Sequence, residues 1–201
     1  LVGSEMCIRD SLDTPGDVPN RPPALCAGCP HRIVFRELAR NKAIVTGDIG
    51  CYTLGALPPL SAMDTTLDMG ASVSMAHGFE LAMAGSDHRP IVGVIGDSTF
   101  AHSGLSSLIN TVYNKGAGTI CILDNRTTAM TGHQPNPGVC TSVLGEGCNH
   151  LDIESVVRGI GVTDVAKVKP FNMRGTLKTI EEMKARSGVR VIIAEEPLSL
   201  I

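Results

Sequence analysis

The sequence predicts an α/β fold: a doubly wound, mostly parallel sheet with helices on both faces. Three observations lead to this prediction. Short apolar runs rich in Val and Ile alternate with helical patterns, which is the chain order of βαβ units. The runs are continuous, as in "IVGVIG" (91–96), and continuous runs are typical of strands buried on both faces. Glycine or acidic residues follow three of the runs, at the strand ends where such sheets bind ligands.

The helix predictions rest on spacing and on end signals. In the first helix, apolar residues recur at helical spacing. The second is rich in small residues and ends at Gly85. Ser103 is the predicted N-cap of the third and Gly116 its end, and Asp152 caps the fourth. The helices are predicted over His31–Asn41, Gly70–Gly85, Ser103–Lys115, Asp152–Ile160 and Asn172–Arg186.

The strand predictions rest on short runs of β-branched residues bounded by glycine, proline, aspartate or asparagine. A loop with two prolines, Arg126–Gly138, separates the third strand from the fourth helix. The strands are predicted over Ala43–Cys51, Pro90–Ser98, Thr119–Asn125, Thr163–Val168 and Val189–Glu195.

Composition excludes several classes of protein. The 201 residues carry a net charge of −3 and no run of Lys or Arg, which argues against nucleic-acid binding. No apolar stretch could span a bilayer, and the start lacks the pattern of a signal peptide. Seven unevenly spaced cysteines then fit metal or redox use in a reducing compartment better than disulfides. We therefore expect a cytoplasmic protein that binds neither nucleic acid nor membrane.

Both ends differ from the sequence between them. Residues 1–11, "LVGSEMCIRDS", show no periodicity and resemble translated sequencing-adapter text, as do residues 198–201. We therefore expect a non-native or disordered leader over 1–11, one domain over 12–197 and a non-native tail over 198–201. Cys7 has no predicted role.

Two turns at strand ends predict a metal site. Asp97 follows one strand and Asn125 follows the next, and the 25 residues between them (99–123) match one βαβ unit. Neighbouring strand ends would bring these oxygen ligands together beside glycine amides. Mg²⁺ bound to a diphosphate prefers such ligands. From the residues alone, a dinucleotide-type turn with a capping Asp remains an alternative.

These turns resemble the diphosphate-binding motif of thiamine diphosphate enzymes, Gly-Asp-Gly followed after about 25 residues by Asn-Asn. Here Ser98 replaces the third glycine and Asp124 the first asparagine, so two of the five marked positions depart from the motif. Further segments resemble the thiamine diphosphate domain of 2-oxoacid:ferredoxin oxidoreductases of the indolepyruvate type. They are "LCAGCPHR" (25–32), "VTGDIGCYTLG" (45–55), "MGASVSMAHG" (69–78), "GDSTFAHSG" (96–104) and "AMTGHQPNPG" (129–138).

The resemblance implies the site residues. Asp97, Asn125 and the main-chain carbonyl of Thr127 would hold Mg²⁺. The residues expected to bind thiamine diphosphate are Gly47, Asp48, Cys51, Gly70, Ser72, Gly96, Asp97, Ser98, Asn125, Thr127, Met130 and Thr131. His31 and His133 lie on segments expected near the cofactor and are the candidate catalytic residues, with a structural role equally open for each.

The resemblance also implies a [4Fe–4S] cluster bound by Cys26, Cys29 and Cys51, with a fourth cysteine after the last strand. Here that strand ends at "EEP" (195–197), where the suspected non-native tail begins, so we expect the fourth ligand to be cut off. Cys140 or Cys148 could substitute, but their spacing does not demand it. A zinc site would need a second close pair, and a plain pocket lining remains open for Cys26 and Cys29. Cys121 lies within a strand and is predicted to be a core residue.

The implied activity is oxidative decarboxylation of an aryl pyruvate such as indolepyruvate, with the acyl group passed to coenzyme A and electrons to ferredoxin. The implied partners are a pyrimidine-binding domain and a ferredoxin-like domain of the same subunit, a beta subunit, ferredoxin and the 2-oxoacid. Neither of those domains is recognisable here, so we expect the chain alone to be inactive. A non-oxidative thiamine diphosphate decarboxylase or synthase and a non-catalytic metal-binding domain are the alternatives.

Overall fold

The fold is described by a computed structural model that covers residues 19, 22–142, 145–147 and 149–198. In chain order the strands are β1 (Ile44–Gly47), β2 (Thr65–Thr66), β3 (Ile91–Gly96), β4 (Thr119–Asp124), β5 (Thr141–Ser142), β6 (Gly145–Glu146), β7 (Asp164–Val168) and β8 (Arg190–Glu195). The α-helices are α1 (His31–Arg40), α2 (Ala71–Met83), α3 (Leu105–Tyr113), α4 (Ile153–Gly159) and α5 (Met173–Lys184). A 3₁₀ helix covers Cys51–Ala56.

Six strands form one sheet in the order β2-β1-β3-β4-β8-β7, and every pairing in it is parallel. Strands β5 and β6 form a separate antiparallel pair. The predicted parallel α/β sheet is therefore confirmed. Strands β2, β5 and β6 were not predicted, because two residues are too few to show a hydrophobic period.

Helices cover both faces of the sheet. Val92 and Val94 of β3 belong to a buried cluster that includes Phe35 of α1. Ile95 of the same strand packs in a second cluster with Leu108 of α3. Because successive strand residues point to opposite faces, these clusters are the two cores of a doubly wound fold. Cys121 is buried in β4, as predicted, and burial raises the pKa of its thiol to about 12.

Of the two predicted N-caps, Ser103 is wrong and Asp152 is confirmed. Helical backbone begins at Asp97, directly after β3, and passes through a π-helical turn (Phe100–Gly104) into α3. Ser103 therefore lies within a helix, with its hydroxyl 3.2 Å from the carbonyl oxygens of Met69 and Thr99. Asp152 is the N-cap residue of α4, as predicted, and its carboxylate accepts a hydrogen bond from the Ser155 hydroxyl.

Residues 1–11 and Cys7 lie outside the described residues. Of the predicted tail 198–201, only Leu198 is described, and it is buried with 7% of its surface exposed. None of the helices in the described ranges combines the length and apolar character that crossing a membrane would need.

Candidate functional site

A crevice opens at the carboxyl ends of β1, β3 and β4. Strand β1 has β2 on one side and β3 on the other, so the chain order reverses there, and such reversals are where open α/β sheets bind ligands. The cavity at this point is called the strand-end cavity. The predicted site residues that line it are His31, Cys51, Gly96, Asp97, Ser98, Asn125, Thr127, Met130 and Thr131.

The three residues predicted to bind Mg²⁺ meet at one point of this cavity. The end of the Asn125 side-chain amide lies 2.8 Å from the carbonyl oxygen of Thr127 and 3.3 Å from Oδ1 of Asp97. Turned with its nitrogen inward, the amide donates to both oxygens. Turned with its oxygen inward, it makes three oxygen ligands from three predicted metal-binding residues, which is the donor set that Mg²⁺ prefers.

A second contact orients Asp97. Its Oδ2 accepts a hydrogen bond of 2.9 Å from Nδ2 of Asn136 in the loop after β4. Burial raises the pKa of Asp97 to about 6, an effect that the Asn136 bond opposes and nearby Asp124 reinforces. A cation beside the carboxylate would remove the cost of holding its charge in a buried place.

Four predicted residues lie one layer behind the cavity: Gly47, Asp48, Gly70 and Ser72. The buried carboxylate of Asp48 accepts from the hydroxyl of Tyr52, from the amide of Gly70 at 2.9 Å and from the hydroxyl of Ser72 at 3.0 Å. Burial raises the pKa of Asp48, against the effect of these bonds. In this structure Asp48 therefore fixes Tyr52, which lines the cavity.

The glycines of the two turns make room for Tyr52. A Cβ atom at Gly96 would lie 2.7 Å from Cε1 of Tyr52, and one at Gly50 would lie 2.4 Å from the same atom. Both distances are closer than carbon atoms pack. The turns after β3 and β1 thus need glycine at positions 96 and 50, because the Tyr52 ring lies between them.

Asp124 occupies the position at which the motif has an asparagine. Its buried carboxylate lies 3.4 Å from the guanidinium of Arg126, which also pairs with Glu195 at the end of β8. Arg126 has a positive φ of 63°, which is uncommon for a residue other than glycine. The Asp124 carboxylate, which replaces the asparagine of the motif, is thus paired with the Arg126 guanidinium.

A second cavity adjoins the first and is called the cysteine cavity. It is lined by the predicted residues Cys26, Cys29, Cys51, His31 and His133, and by Leu198 among others. Burial raises the pKa of the Cys29 and Cys51 thiols, and the neighbouring thiols raise that of Cys51 further. Exposed Cys140 is not part of this lining, and Cys148 lies outside the described residues.

His31 lies in the wall between the two cavities and lines both. Only 3% of its surface is exposed, and burial lowers the pKa of its imidazole to about 4. His31 is therefore neutral at pH 7, able to donate one hydrogen bond and to accept one. His133 is exposed, with a positive φ of 63°, at the edge of the cysteine cavity.

Tyr52 and Asn136 were missed by the sequence analysis. Tyr52 directly follows a predicted cofactor residue, so its position was a usable signal. Asn136 lies between two prolines, where asparagine is typical of turns, and it is 39 residues from Asp97. Its contact with Asp97 depends on the path of the loop, so no spacing rule could have found it.

The parallel sheet and the oxygen-lined crevice define a cofactor-binding α/β domain. A family model described as "Thiamine pyrophosphate enzyme, C-terminal TPP binding domain" matches residues 48–194. The chain belongs to this family. The family match includes both predicted diphosphate turns, and it excludes the dinucleotide-type alternative.

Curated relatives of one name within this family are similar to the chain. The chain is 45% identical over 196 residues to "Indolepyruvate oxidoreductase subunit IorA" of Thermococcus kodakarensis, covering 91% of this chain and 30% of the relative. It is 44% identical to the protein of that name from Methanothermobacter thermautotrophicus, covering 100% of this chain and 33% of the relative. The chain thus spans about a third of their length. The predicted resemblance to the indolepyruvate type is confirmed.

Solved structures share the fold. A 2-oxoglutarate:ferredoxin oxidoreductase from Magnetococcus marinus superposes with a TM-score of 0.73 at 18% identity, covering 90% of this chain and 66% of that one. A putative thiamin diphosphate-dependent enzyme from Mycobacterium smegmatis gives 0.62 at 20% identity, covering 96% of this chain and 38% of that one.

Proposed function

We propose that the chain is the cofactor-binding domain of a thiamine diphosphate-dependent oxidoreductase that decarboxylates an aryl pyruvate of the indolepyruvate type. The acyl product would pass to coenzyme A and the electrons to ferredoxin. The 45% identity to the T. kodakarensis subunit supports the substrate class. When bound, thiamine diphosphate supplies the electron sink that a 2-oxoacid needs in order to lose CO₂.

The meeting of the Asp97 carboxylate, the Asn125 side-chain amide and the Thr127 carbonyl at one point is the observation that carries this proposal. These residues would hold Mg²⁺, with diphosphate oxygens completing its shell. Asn136 keeps Asp97 in place through its 2.9 Å bond. The helical backbone that starts at Asp97 and continues into α3 has its N-terminal end at this point, a favourable place for a phosphate group.

The exposed apolar residues that line the strand-end cavity are the reason for proposing an aromatic substrate. Ile49, Met69 and Met130 line it with 41%, 46% and 48% of their surfaces exposed. Apolar side chains of this kind favour a planar ring over a second carboxylate. His31, neutral and at the cavity wall, would orient the substrate through a hydrogen bond, and His133 would act at the rim.

The predicted partners are part of the proposal. A pyrimidine-binding domain, a ferredoxin-like domain, a beta subunit and ferredoxin would complete the enzyme, in the cytoplasm. A non-oxidative thiamine diphosphate enzyme is the second candidate, since the description of the family model names the cofactor and no reaction type. Identity to subunits named oxidoreductase favours the oxidative one.

The test is a calorimetric titration with thiamine diphosphate, with and without Mg²⁺. We expect Mg²⁺-dependent binding that Asp97→Asn weakens by roughly tenfold or more, because one lost charge-assisted contact is worth about 1.5–3 kcal/mol. Asp87→Asn is the matched control, since Asp87 pairs with Arg89 in the exposed loop before β3, at the opposite end of the strands.

The same titration is made on the chain joined to the remaining two thirds of the T. kodakarensis subunit. Mg²⁺-dependent binding in either form, lost with Asp97→Asn and kept with Asp87→Asn, supports the proposal. Binding in neither form, or binding that does not respond to Mg²⁺, overturns it.

A further inference from the structure

The outward side of α1 is basic, although the chain as a whole is acidic. Arg32, Arg36 and Arg40 follow one another at four-residue spacing, so they lie along one side of the helix over about 12 Å. This surface is called the arginine face. With Lys42 it places four cations within residues 32–42 of a chain whose net charge is −3.

Little negative charge offsets these cations. Glu37 is the only carboxylate of α1, and it lies 3.4 Å from the Arg40 guanidinium. The Glu37 side chain is buried, with 3% of its surface exposed, whereas that of Arg40 is 59% exposed. Arg36 is exposed, and no ion pair within the described ranges involves it. A partner that approaches this face therefore meets positive charge.

Helix stability accounts for only part of this charge. A cation in the last turn, such as Arg40, is stabilised by the helix dipole. Arg32 lies in the first turn, where the dipole opposes a cation, and Arg36 lies in the middle of the helix. The Arg32 guanidinium donates to the carbonyl oxygens of Cys26, at 2.9 Å, and of Leu25. Arg32 thus joins the arginine face to the turn that carries the first two cysteines, and helix stability leaves Arg36 without a role.

The arginine face lies beside the cysteine cavity. Helix α1 begins at His31, two residues after Cys29, and both Cys26 and Cys29 line that cavity. Cys29 is buried, but Cys26 is exposed. A protein bound along the arginine face would therefore lie next to Cys26, at the outer edge of the cysteine turn.

We propose that the arginine face of α1 is the docking surface for an acidic electron-carrier protein, the ferredoxin of the proposed function. Complementary charge favours such a partner, because opposite charges steer the encounter and orient the complex. A helix side that extends over about 12 Å presents its charges to a protein surface, whereas a small anion is bound in a concave site. The inference rests on the proposed function, since it assigns the exit of the electrons to the surface beside the cysteines.

The test is a calorimetric titration of the 201-residue chain with oxidised ferredoxin from T. kodakarensis, the organism of the 45% identical relative. Binding at about 20 mM salt should weaken several-fold at about 300 mM salt, because salt screens exposed charges. Arg36→Glu with Arg40→Glu should weaken the low-salt affinity roughly tenfold or more, since attraction becomes repulsion. Arg36→Lys with Arg40→Lys keeps both charges and should bind within about threefold of the unchanged chain.

Arg89→Glu with Lys115→Glu is the matched control. Both residues are exposed, and they precede β3 and β4, at the opposite end of the strands from the cysteine cavity. The net charge changes by the same amount as in the charge reversal of α1, so an affinity within about threefold of the unchanged chain is expected. Circular dichroism shows whether each variant folds. If the charge reversal of α1 does not fold, Arg36→Gln with Arg40→Gln replaces it, with a smaller loss of affinity expected.

Several outcomes overturn the proposal. They are no ferredoxin binding at low salt, equal losses in the two charge-reversal variants, and equally tight binding of ovalbumin, an acidic protein without a redox group. Coenzyme A binding that is lost in Arg36→Glu with Arg40→Glu, without ferredoxin binding, would make the arginine face a phosphate site instead. Mg²⁺-dependent binding of thiamine diphosphate should be unchanged in that variant. Failure of ferredoxin binding alone therefore rejects the docking surface, whereas failure of thiamine diphosphate binding rejects the proposed function.

Discussion

The two adjoining cavities are built in different ways. The strand-end cavity is lined by residues that directly follow β1, β3 and β4, and its buried polar groups bind one another. Asp48 accepts three hydrogen bonds and Asp97 is held by Asn136. The cysteine cavity is lined by the segment before α1, by Cys51 and by Leu198 after β8. The rest of its lining includes apolar side chains such as Leu54.

This difference shows which of the two cavities has its polar groups paired without a bound ligand. Parallel strands that end at one edge of a sheet place their next residues together whether or not a ligand is bound. Thiols brought together by loops raise one another's pKa, as at Cys51, and gain from a bound cation. Substitutions should therefore affect the folding of the strand-end cavity far more than that of the cysteine cavity.

The largest contrast is expected between Asp48→Ala and Cys26→Ala. Removing the Asp48 carboxylate leaves the buried Gly70 amide and Ser72 hydroxyl without this acceptor. The Tyr52 hydroxyl also loses its bond to Asp48 and keeps only its contacts with the Ile49 carbonyl and the Thr99 hydroxyl. We expect the free energy of unfolding in urea to fall by about 3–4 kcal/mol. Cys26 is exposed, and its substitution should cost less than about 0.5 kcal/mol. Equal losses would contradict the comparison.

Gly96→Ala should come next. Its Cβ atom would lie 2.7 Å from the Tyr52 ring, and we expect overpacking to cost about 2 kcal/mol in urea unfolding. Gly78→Ala is the control, because a Cβ atom at this position in α2 meets nothing within 4 Å. Alanine should stabilise that helix by up to about 1 kcal/mol. A neutral Gly96→Ala would show that Tyr52 is not held between the turns.

His31 predicts a pH effect at the boundary of the two cavities. Its pKa is lowered from 6.5 to about 4, so its stabilising contribution is complete above pH 6.5 and is lost as pH falls through 4. From pH 7 to 5 the free energy of unfolding should fall by about 2 kcal/mol more than in His31→Gln. Parallel pH curves for the two proteins would mean that His31 is accessible to water.

Asn136→Ala should give the smallest effect. It removes the 2.9 Å bond to Asp97 while leaving the proposed Mg²⁺ ligands in place. We expect Mg²⁺-dependent affinity for thiamine diphosphate to fall about tenfold, because one hydrogen bond to a charged group is worth about 1.5 kcal/mol. Asn110→Ala, on the exposed face of α3, serves as the control. Unchanged affinity would show that the backbone alone orients Asp97.

Much of the strand-end cavity could be predicted from the sequence. Asp97 and Asn125 follow long apolar runs, and one crossover helix separates them, so chain order alone places them at neighbouring strand ends. The placement of Asp48 behind Tyr52 could not be predicted, because only the packed structure shows which side of a turn faces a ligand. Asn136 was missed for the same reason, and Ser103 because β3 runs into helical backbone without a cap.

The sequence by itself determined the parallel sheet, its buried strands and the chemistry at their ends, because hydrophobic period and turn residues act over a few neighbours. The tertiary structure decided which distant residues complete each cavity. Asn136 donates to Asp97, and Leu198 lines the same cavity as the cysteines, across long stretches of chain, since these placements depend on how loops pack on the sheet. Local sequence patterns therefore do not predict such long-range placements.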